Sequence, residues 1–388
     1  MVALGEGHAG GVARRARCRD RRVYLVSHPV IFTLLAATRA WPVTRLGGTV
    51  LIQGAEAFRE ALTRLPLDRT AQGTTGGLAR AVIEDGVLFD QDGPAHREVR
   101  RSLAADLSAV GVDRLRPVWR AVLARRLAAL GTGADVDMAQ VSAELAGATV
   151  CALLELDAEP IAVARAAGAV AAAAARAHLP GIPWPGASLA LLAATDDLIR
   201  LLGRQRPSAA GTPDIASVAV MLAIAAVNTT AAGIPRAVAW CADCQMWADA
   251  DCADRREVLA SELLRVTTPT AVLPRVAARA GTVGGRPVRE GDRLILVARH
   301  AAGAHRAGPD CDLPAPPQVA QLVFGAGSHA CPGAALAKAQ LADTLQLLAP
   351  HRPVVVRARA DRRSGLPGWK SLVIRASLAT RQPGNSCG

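Results

Sequence analysis

Aromatic side chains are scarce in this 388-residue chain, at 3% of the total with a single Tyr. So thin a supply leaves few faces on which single-stranded bases could stack. Nor is there a dense basic tract for phosphate contacts beyond Arg14 to Arg22. Nucleic acid is therefore not an expected partner. A regular cysteine framework is also missing. Eight cysteines at irregular spacings do not read as the disulfide lattice of a small secreted domain. Cys241 and Cys244, with Cys252 nearby, hint at zinc, but no second pair completes a four-ligand set. Trp240 and Trp247 beside them suggest packing instead. Long apolar runs are absent as well. Val23 to Trp41 is broken by Ser27, His28, Pro29 and Arg39, which makes a poor signal peptide or anchor. Ile215 to Val227 is apolar apart from Ser217, but it falls short of the ~20 residues a span needs. A buried core helix in a cytoplasmic protein without a membrane span is the expectation.

Apolar residues make up 51% of the chain, which excludes a disordered protein. Alanine runs such as Ala171 to Ala175 favour helix, and strand-rich windows are few and short. The expected fold class is mainly α with small β-sheets, in a single domain. Nearly all the positive charge is arginine, and the formal net charge is +12. That excess is either spread over the surface or gathered into a face for an acidic partner. Residues 1–22 are polar, Gly-rich and basic, and read as a disordered extension ahead of a domain over 23–388.

Along the chain, Val30 to Ala40 reads as a helix, and Pro42 to Gln53 as a strand pair turning at Gly47 and Gly48. Phe58 to Leu65 is a short helix, and Pro66 to Gly86 is loop-like. Helical periodicity returns over His96 to Leu107, Asp113 to Leu130, Met138 to Leu156, Glu159 to Ala177 and Leu189 to Leu202. Pro180 to Gly186 breaks that series, and Pro207 to Pro213 is a linker. A long helix starts near Ile215, and Pro235 should kink it. Val258 to Val266 is helical. Short strands near Arg286 to Val297 and a Pro-rich loop, Leu313 to Pro317, precede the last strong helix, Ala334 to Leu348.

The densest motif is Phe324-Gly325-Ala326-Gly327-Ser328-His329-Ala330-Cys331-Pro332-Gly333. Gly325 and Gly327 allow a tight backbone turn. Cys331 stands just before a helix N-terminus, where the dipole and free N–H groups favour a thiolate. Gly333 lets a flat ligand approach without a Cβ clash. A thiolate cradled by N–H groups suits ferric iron. A lone cysteine in a turn is more often a buried structural residue.

The flanking pattern decides between these readings. It resembles the heme-binding loop of the cytochrome P450 family at Phe324, Gly327, His329, Cys331 and Gly333. Glu262-Leu263-Leu264-Arg265 resembles the family's Glu-x-x-Arg helix, although such a spacing alone is usually a surface pair. Arg275 follows Pro269, where the family places an arginine on a heme propionate. His96 and Arg100 resemble the His-x-x-x-Arg helix, and at that spacing both lie on one face and could grip a propionate. Ala225, Ala226, Asn228 and Thr229 fall on the family's central helix. There the small pair leaves room for dioxygen, and an acid and a threonine stand beside the oxygen site. Asn228 departs from the usual acid, and Ala298-Arg299-His300 matches the family's pattern only loosely.

The resemblance implies the P450 fold over about Pro29 to Ala379, with heme b held by Cys331. Candidate catalytic residues are Thr229 and Asn228. Those placed at the cofactor are His96, Arg100, Ala225, Ala226, Arg275, Phe324, Gly325, Gly327, His329 and Gly333. The implied activity is a monooxygenase that inserts one atom of dioxygen into a small apolar substrate. The chain has no flavin or iron–sulfur motif of its own, so electrons would come from a separate ferredoxin and its reductase. A peroxide-dependent or non-oxygenating heme enzyme stays open because of Asn228, and a non-catalytic heme-binding or sensing protein of the same fold is a second alternative. The expected pocket walls, Pro66 to Phe89, Ala175 to Leu189, the central helix and the segment after Pro269, are rich in small and apolar residues.

Overall fold

The computed structural model describes residues 5–83, 88–178, 186–203 and 215–377. Its first helix, α1 (Gly5–Ser27), buries Ala16, Asp20, Val23, Tyr24 and Ser27 at three- and four-residue spacing. Arg14, Arg15, Arg21 and Arg22 turn to solvent. The expected disordered extension is thus corrected: one helix runs across the 22/23 boundary and docks. Its buried stripe contains a charge, Asp20, whose partner Arg236 is remote in sequence, so no local apolar pattern announces it. α2 (Pro29–Thr38) follows, with Pro29 in its first turn, where the missing N–H costs nothing.

β1 (Val43–Leu46) and β2 (Thr49–Ile52) form the anticipated hairpin, closed by Gly47 in the left-handed region. α3 (Ala55–Thr63) and β3 (Leu67–Asp68) come next. α4 (Thr75–Val82) lies where a loop was expected. The Thr74 hydroxyl accepts from the Gly77 N–H and starts that helix despite its two glycines. Asp92, Ser108 and Asp137 cap α5 (Gly93–Leu107), α6 (Ala109–Leu127) and, after β4 (Val136–Asp137), α7 (Met138–Leu153). α8 (Pro160–His178), α9 (Ala187–Leu202) and α10 (Ile215–Cys244) complete the helical layer. Of the break expected over Pro180 to Gly186, all but Gly186 lies outside the described residues, as does the linker over 207–213. α10 runs unbroken through Pro235, where a kink was expected. α11 (Trp247–Asp251) and α12 (Ala253–Thr267) follow.

The remaining chain forms β5 (Leu273–Ala277), β6 (Gly281–Val283), β7 (Arg286–Val288) and β8 (Arg293–Leu296), then the short α13 (Ala298–Ala301) and α14 (Pro317–Ala320). α15 (Ala334–Leu348) has the bounds read from its periodicity, and β9 (Val354–Ala360) and β10 (Trp369–Arg375) close the described chain. A five-stranded sheet runs β1-β2-β8-β5-β3, a three-stranded one β4-β10-β9, and β6 pairs with β7. Only β2 and β8 pair in parallel among these.

The main core gathers Trp119, Leu145, Trp240, Leu263 and Leu341 from α6, α7, α10, α12 and α15. A second core, around Ala146, Ala164, Ala167, Ala173 and Ala223, joins α7, α8 and α10. Small side chains let these helices approach closely: a Cβ built on Gly147 would stand 2.0 Å from the Pro160 carbonyl. α8 and α10 are long and apolar enough to cross a membrane by length and composition alone. Here α10 packs against α1, α7, α8 and α12. The mainly helical class with small sheets matches the expectation.

Candidate functional site

The Cys331 loop is shaped by its glycines. A tight helical turn over Gln321–Phe324 ends at Gly325, and Gly325 and Gly327 take φ values of 78° and 74°. Both lie in the left-handed region that side chains resist. The chain therefore doubles back, and the Cys331 N–H donates to the Phe324 carbonyl at 2.8 Å. α15 then departs from Gly333. The Cys331 side chain is accessible, yet burial by its surroundings raises its thiol pKa. The Gly333 N–H and, more weakly, Arg100 oppose that rise. A group that is both accessible and desolvated stands on the wall of a concavity. The free thiol is neutral at pH 7, and a bound metal would displace its proton.

Basic side chains converge beside this loop. Arg100 on α5 donates to the Ala330 carbonyl at 2.7 Å, tying the loop to that helix. One turn earlier, buried His96 stacks on His329 with ring centroids 3.9 Å apart. Arg275 on β5 donates to the Thr75 hydroxyl at 2.9 Å. Burial, reinforced by Arg69, pushes its pKa down to about 10. Burial, then Arg69, pushes His329 down to about 3, so that imidazole is neutral at pH 7. Desolvation lowers His96 as well.

Buried Arg69 Nε, Arg275 Nε, His96 Nε2 and His329 Nε2 have no hydrogen-bond partner. Each such atom costs about 1–3 kcal/mol unless something satisfies it. Asp92 is the carboxylate that faces the group. The cluster thus fits an anionic ligand. A Cβ built on Gly333 would meet only the Cys331 sulfur, at 3.9 Å, so the space above the cysteine is open to a flat molecule. A cysteine that can bind iron, an open face, and the unsatisfied nitrogens of two arginines and two imidazoles fit heme and its two propionates. Arg69 and Thr75 were missed by sequence reasoning, because they sit in the stretch read as a loop.

The α10 candidates share one turn. The Thr229 hydroxyl donates back to the Ala225 carbonyl at 2.9 Å. Asn228 Nδ2 donates to the Ile224 carbonyl at 2.7 Å and to the Ala167 carbonyl of α8 at 3.3 Å. Ala225 and Ala226 are half-buried beside them. Among the described residues no hydrogen bond joins this turn to the Cys331 loop. The structure therefore brings His96, Arg100, Arg275 and His329 together around the loop, with Phe324, Gly325, Gly327 and Gly333 in it, and holds Ala225, Ala226, Asn228 and Thr229 as a second group.

Glu262 and Arg265 are a buried pair, 2% exposed on each side, with contacts of 2.6 and 2.8 Å. Arg265 also holds the carbonyls of Ala302, Ala307 and Gly308. Glu262 accepts from the backbone of Asp310 and Ala315. The pair clamps the run that leads into the Cys331 loop. At the zinc-like cysteines, burial raises the thiols of Cys241 and Cys244, and Trp240 and Trp247 are buried beside them. Among the described residues no group of three or more His, Cys, Asp or Glu could hold a metal ion.

No family model and no curated protein matches this chain. Solved structures do match it. The open cytochrome P450 EryK from S. erythraea is 20% identical and aligns over 92% of this chain and 98% of its own, with a TM-score of 0.70. CYP109E1 from Bacillus megaterium in complex with testosterone is 18% identical, covering 92% of this chain and 100% of its own, at 0.72. Ligand-free CYP164A2 from Mycobacterium smegmatis is 23% identical, covering 90% and 100%, at 0.70.

Proposed function

On the premise that this chain has the cytochrome P450 fold, we propose that it is a heme-thiolate monooxygenase acting on a small apolar substrate, with electrons from a separate ferredoxin and its reductase. The observation that carries this reading is the Cys331 loop set against four buried, unsatisfied nitrogens on Arg69, His96, Arg275 and His329. Heme b, when bound, would supply dioxygen activation, which an electron-rich thiolate ligand would favour. Cys331 would hold the iron. Arg69, His96, Arg100, Arg275 and His329 would hold the propionates, and the space over Gly333 would admit the ring. Ala225 and Ala226 would leave room for dioxygen, and Thr229 and Asn228 would orient water and protons beside them. Solved neighbours in complex with testosterone and with erythromycin B agree with an organic small-molecule substrate.

Heme content and the carbon monoxide spectrum of the reduced protein test the ligand. The expected result is the red-shifted Soret band of thiolate ligation, lost in Cys331→Ala together with most of the heme. A spectrum of histidine ligation in the wild type would overturn the assignment. A peroxide-dependent variant of the reaction draws specific support from Asn228. Its amide N–H groups are committed to two backbone carbonyls, and an amide cannot titrate as a proton relay. Turnover with hydrogen peroxide but not with NADPH, ferredoxin and reductase would favour that variant.

A further inference from the structure

Behind the central helix lies a cavity of about 320 Å³. Val227 and Ala231, which line it, are two residues either side of Thr229, about 160° around the helix from that hydroxyl. Asn228, whose amide donates to the Ala167 carbonyl of α8, also lines it, so the cavity lies on the α8 side of the helix and meets the Thr229 turn only at Asn228. Its floor is made of small apolar residues of α7, α8 and α10, among them Ala143, Gly168 and Ala231. Its roof is the turn between β9 and β10, pressed so close to α8 that a Cβ on Gly365 would stand 2.7 Å from the Ala171 carbonyl.

The polar features are unequally distributed. Arg176 and Arg363 line the cavity and are both exposed. They are joined by Arg176 donating to the Arg363 carbonyl at 3.4 Å. Among the described residues neither guanidinium has an ion-pair partner. Asp361, also in the lining, accepts from the Arg363 N–H at 2.8 Å. Trp369 is 6% exposed, lines the wall, and its indole N–H is buried without a hydrogen-bond partner. Two unpaired guanidiniums, an unsatisfied donor and an apolar floor form a concave site of the usual ligand-binding composition.

We propose that this cavity binds a small monocarboxylate with a short apolar tail. The tail lies along the alanine and glycine floor, and the carboxylate meets Arg176 and Arg363, whose planar forks match its two oxygens. The volume, at the low end of the usual pocket range, limits the ligand to a short chain or one small ring. Asp361 disfavours a multiply charged anion.

Hexanoate is the probe, with hexylamine and 1-hexanol as controls, titrated calorimetrically and by tryptophan fluorescence. Saturable hexanoate binding is expected, with hexylamine and hexanol at least about tenfold weaker. The double variant Arg176→Ala/Arg363→Ala should weaken hexanoate at least about tenfold. Ala231→Phe, which fills the cavity, should abolish the binding. If Ala231→Phe fails to fold, Gly168→Leu fills the same floor from α8. Absence of saturable binding overturns the proposal. So does binding that survives both the arginine and the filling variants, which would place hexanoate elsewhere, including on the side of Thr229. Equal affinity for hexanol would remove the role of the two arginines.

Discussion

Asp20 and Arg236 meet in the interior, with Arg236 donating to one Asp20 oxygen at 2.9 Å from Nε and 2.7 Å from NH2. Their side chains are 2% and 0% exposed. Arg299 reaches the other oxygen at 3.1 Å, and the Tyr24 ring lies 4.4 Å from one guanidinium and 4.3 Å from the other. One carboxylate and one aromatic ring thus serve two cations, and together they fasten α1 to α10 and α13. Asp20→Ala would leave two guanidiniums without an acid. A loss of about 3–5 kcal/mol is expected, because breaking a buried pair strands the remaining charge. Urea unfolding measures it, and exposed Arg14→Ala serves as a control that should stay within about 0.5 kcal/mol. An unchanged midpoint for Asp20→Ala would mean that α1 contributes little to the fold.

Glu262→Ala should be as damaging and should also loosen the Cys331 loop. The carboxylate holds the Asp310 and Ala315 N–H groups as well as Arg265, so its removal frees backbone donors in the run before the loop. A loss of about 3–5 kcal/mol is expected, with heme content falling further than the unfolded fraction alone explains. Full heme loading at wild-type stability would show that the clamp is dispensable.

What was legible in the sequence followed from chemistry carried by adjacent residues. The Gly325–Gly327 turn, the start of α15 and the i, i+4 placement of His96 and Arg100 are local, and the structure has all of them. What escaped depends on distant partners. Residues 1–22 read as disordered because they are polar, Gly-rich and basic, and the stripe that α1 buries includes Asp20, which the distant Arg236 and Arg299 neutralise. α4 looked like a loop because glycines weaken helix propensity, and Thr74 supplies a cap that offsets them. Arg69 gave no signal at all, since its place in the cationic cluster comes from how β3 and α4 set the chain beside α5.

Acid should weaken the fold through a second pair of imidazoles. Burial pushes His300 down to about 3 and His305 down to about 4, helped by arginines including Arg39, Arg299 and Arg306. Their rings lie 4.6 Å apart, and His300 Nδ1 bonds to Gln53 Oε1. Both side chains are held neutral in the folded state, whereas the unfolded chain protonates near pH 6.5. The unfolded state therefore binds more protons between about pH 6.5 and 3. Stability should be complete above 6.5 and decline as pH falls through that window. In His300→Gln the slope of stability against pH should be shallower, read from urea midpoints between pH 7.5 and 4.5. An identical slope would assign the acid sensitivity to other groups.

Asn228 and Thr229 should separate by what they do to stability and to turnover. The Asn228 amide donates to the Ile224 and Ala167 carbonyls. A carboxylate in its place would face two acceptor oxygens, which disfavours its charged form and raises its pKa in the folded state. Asn228→Asp should therefore keep near-wild-type stability only while the acid is protonated, and lose it as pH rises through the raised folded-state value. Midpoints compared at pH 5 and pH 8 read this directly, and a pH-independent difference would mean that the side chain does not face those carbonyls when folded. Thr229→Ala removes only bonding to the helix's own Ala225 and Ala226 carbonyls, so it should cost no more than about 1.5 kcal/mol. Its effect should lie in coupling: with ferredoxin and reductase, NADPH consumption continues while product falls and hydrogen peroxide rises. Full coupling in Thr229→Ala, with normal substrate binding, would remove this turn of α10 from the reaction site.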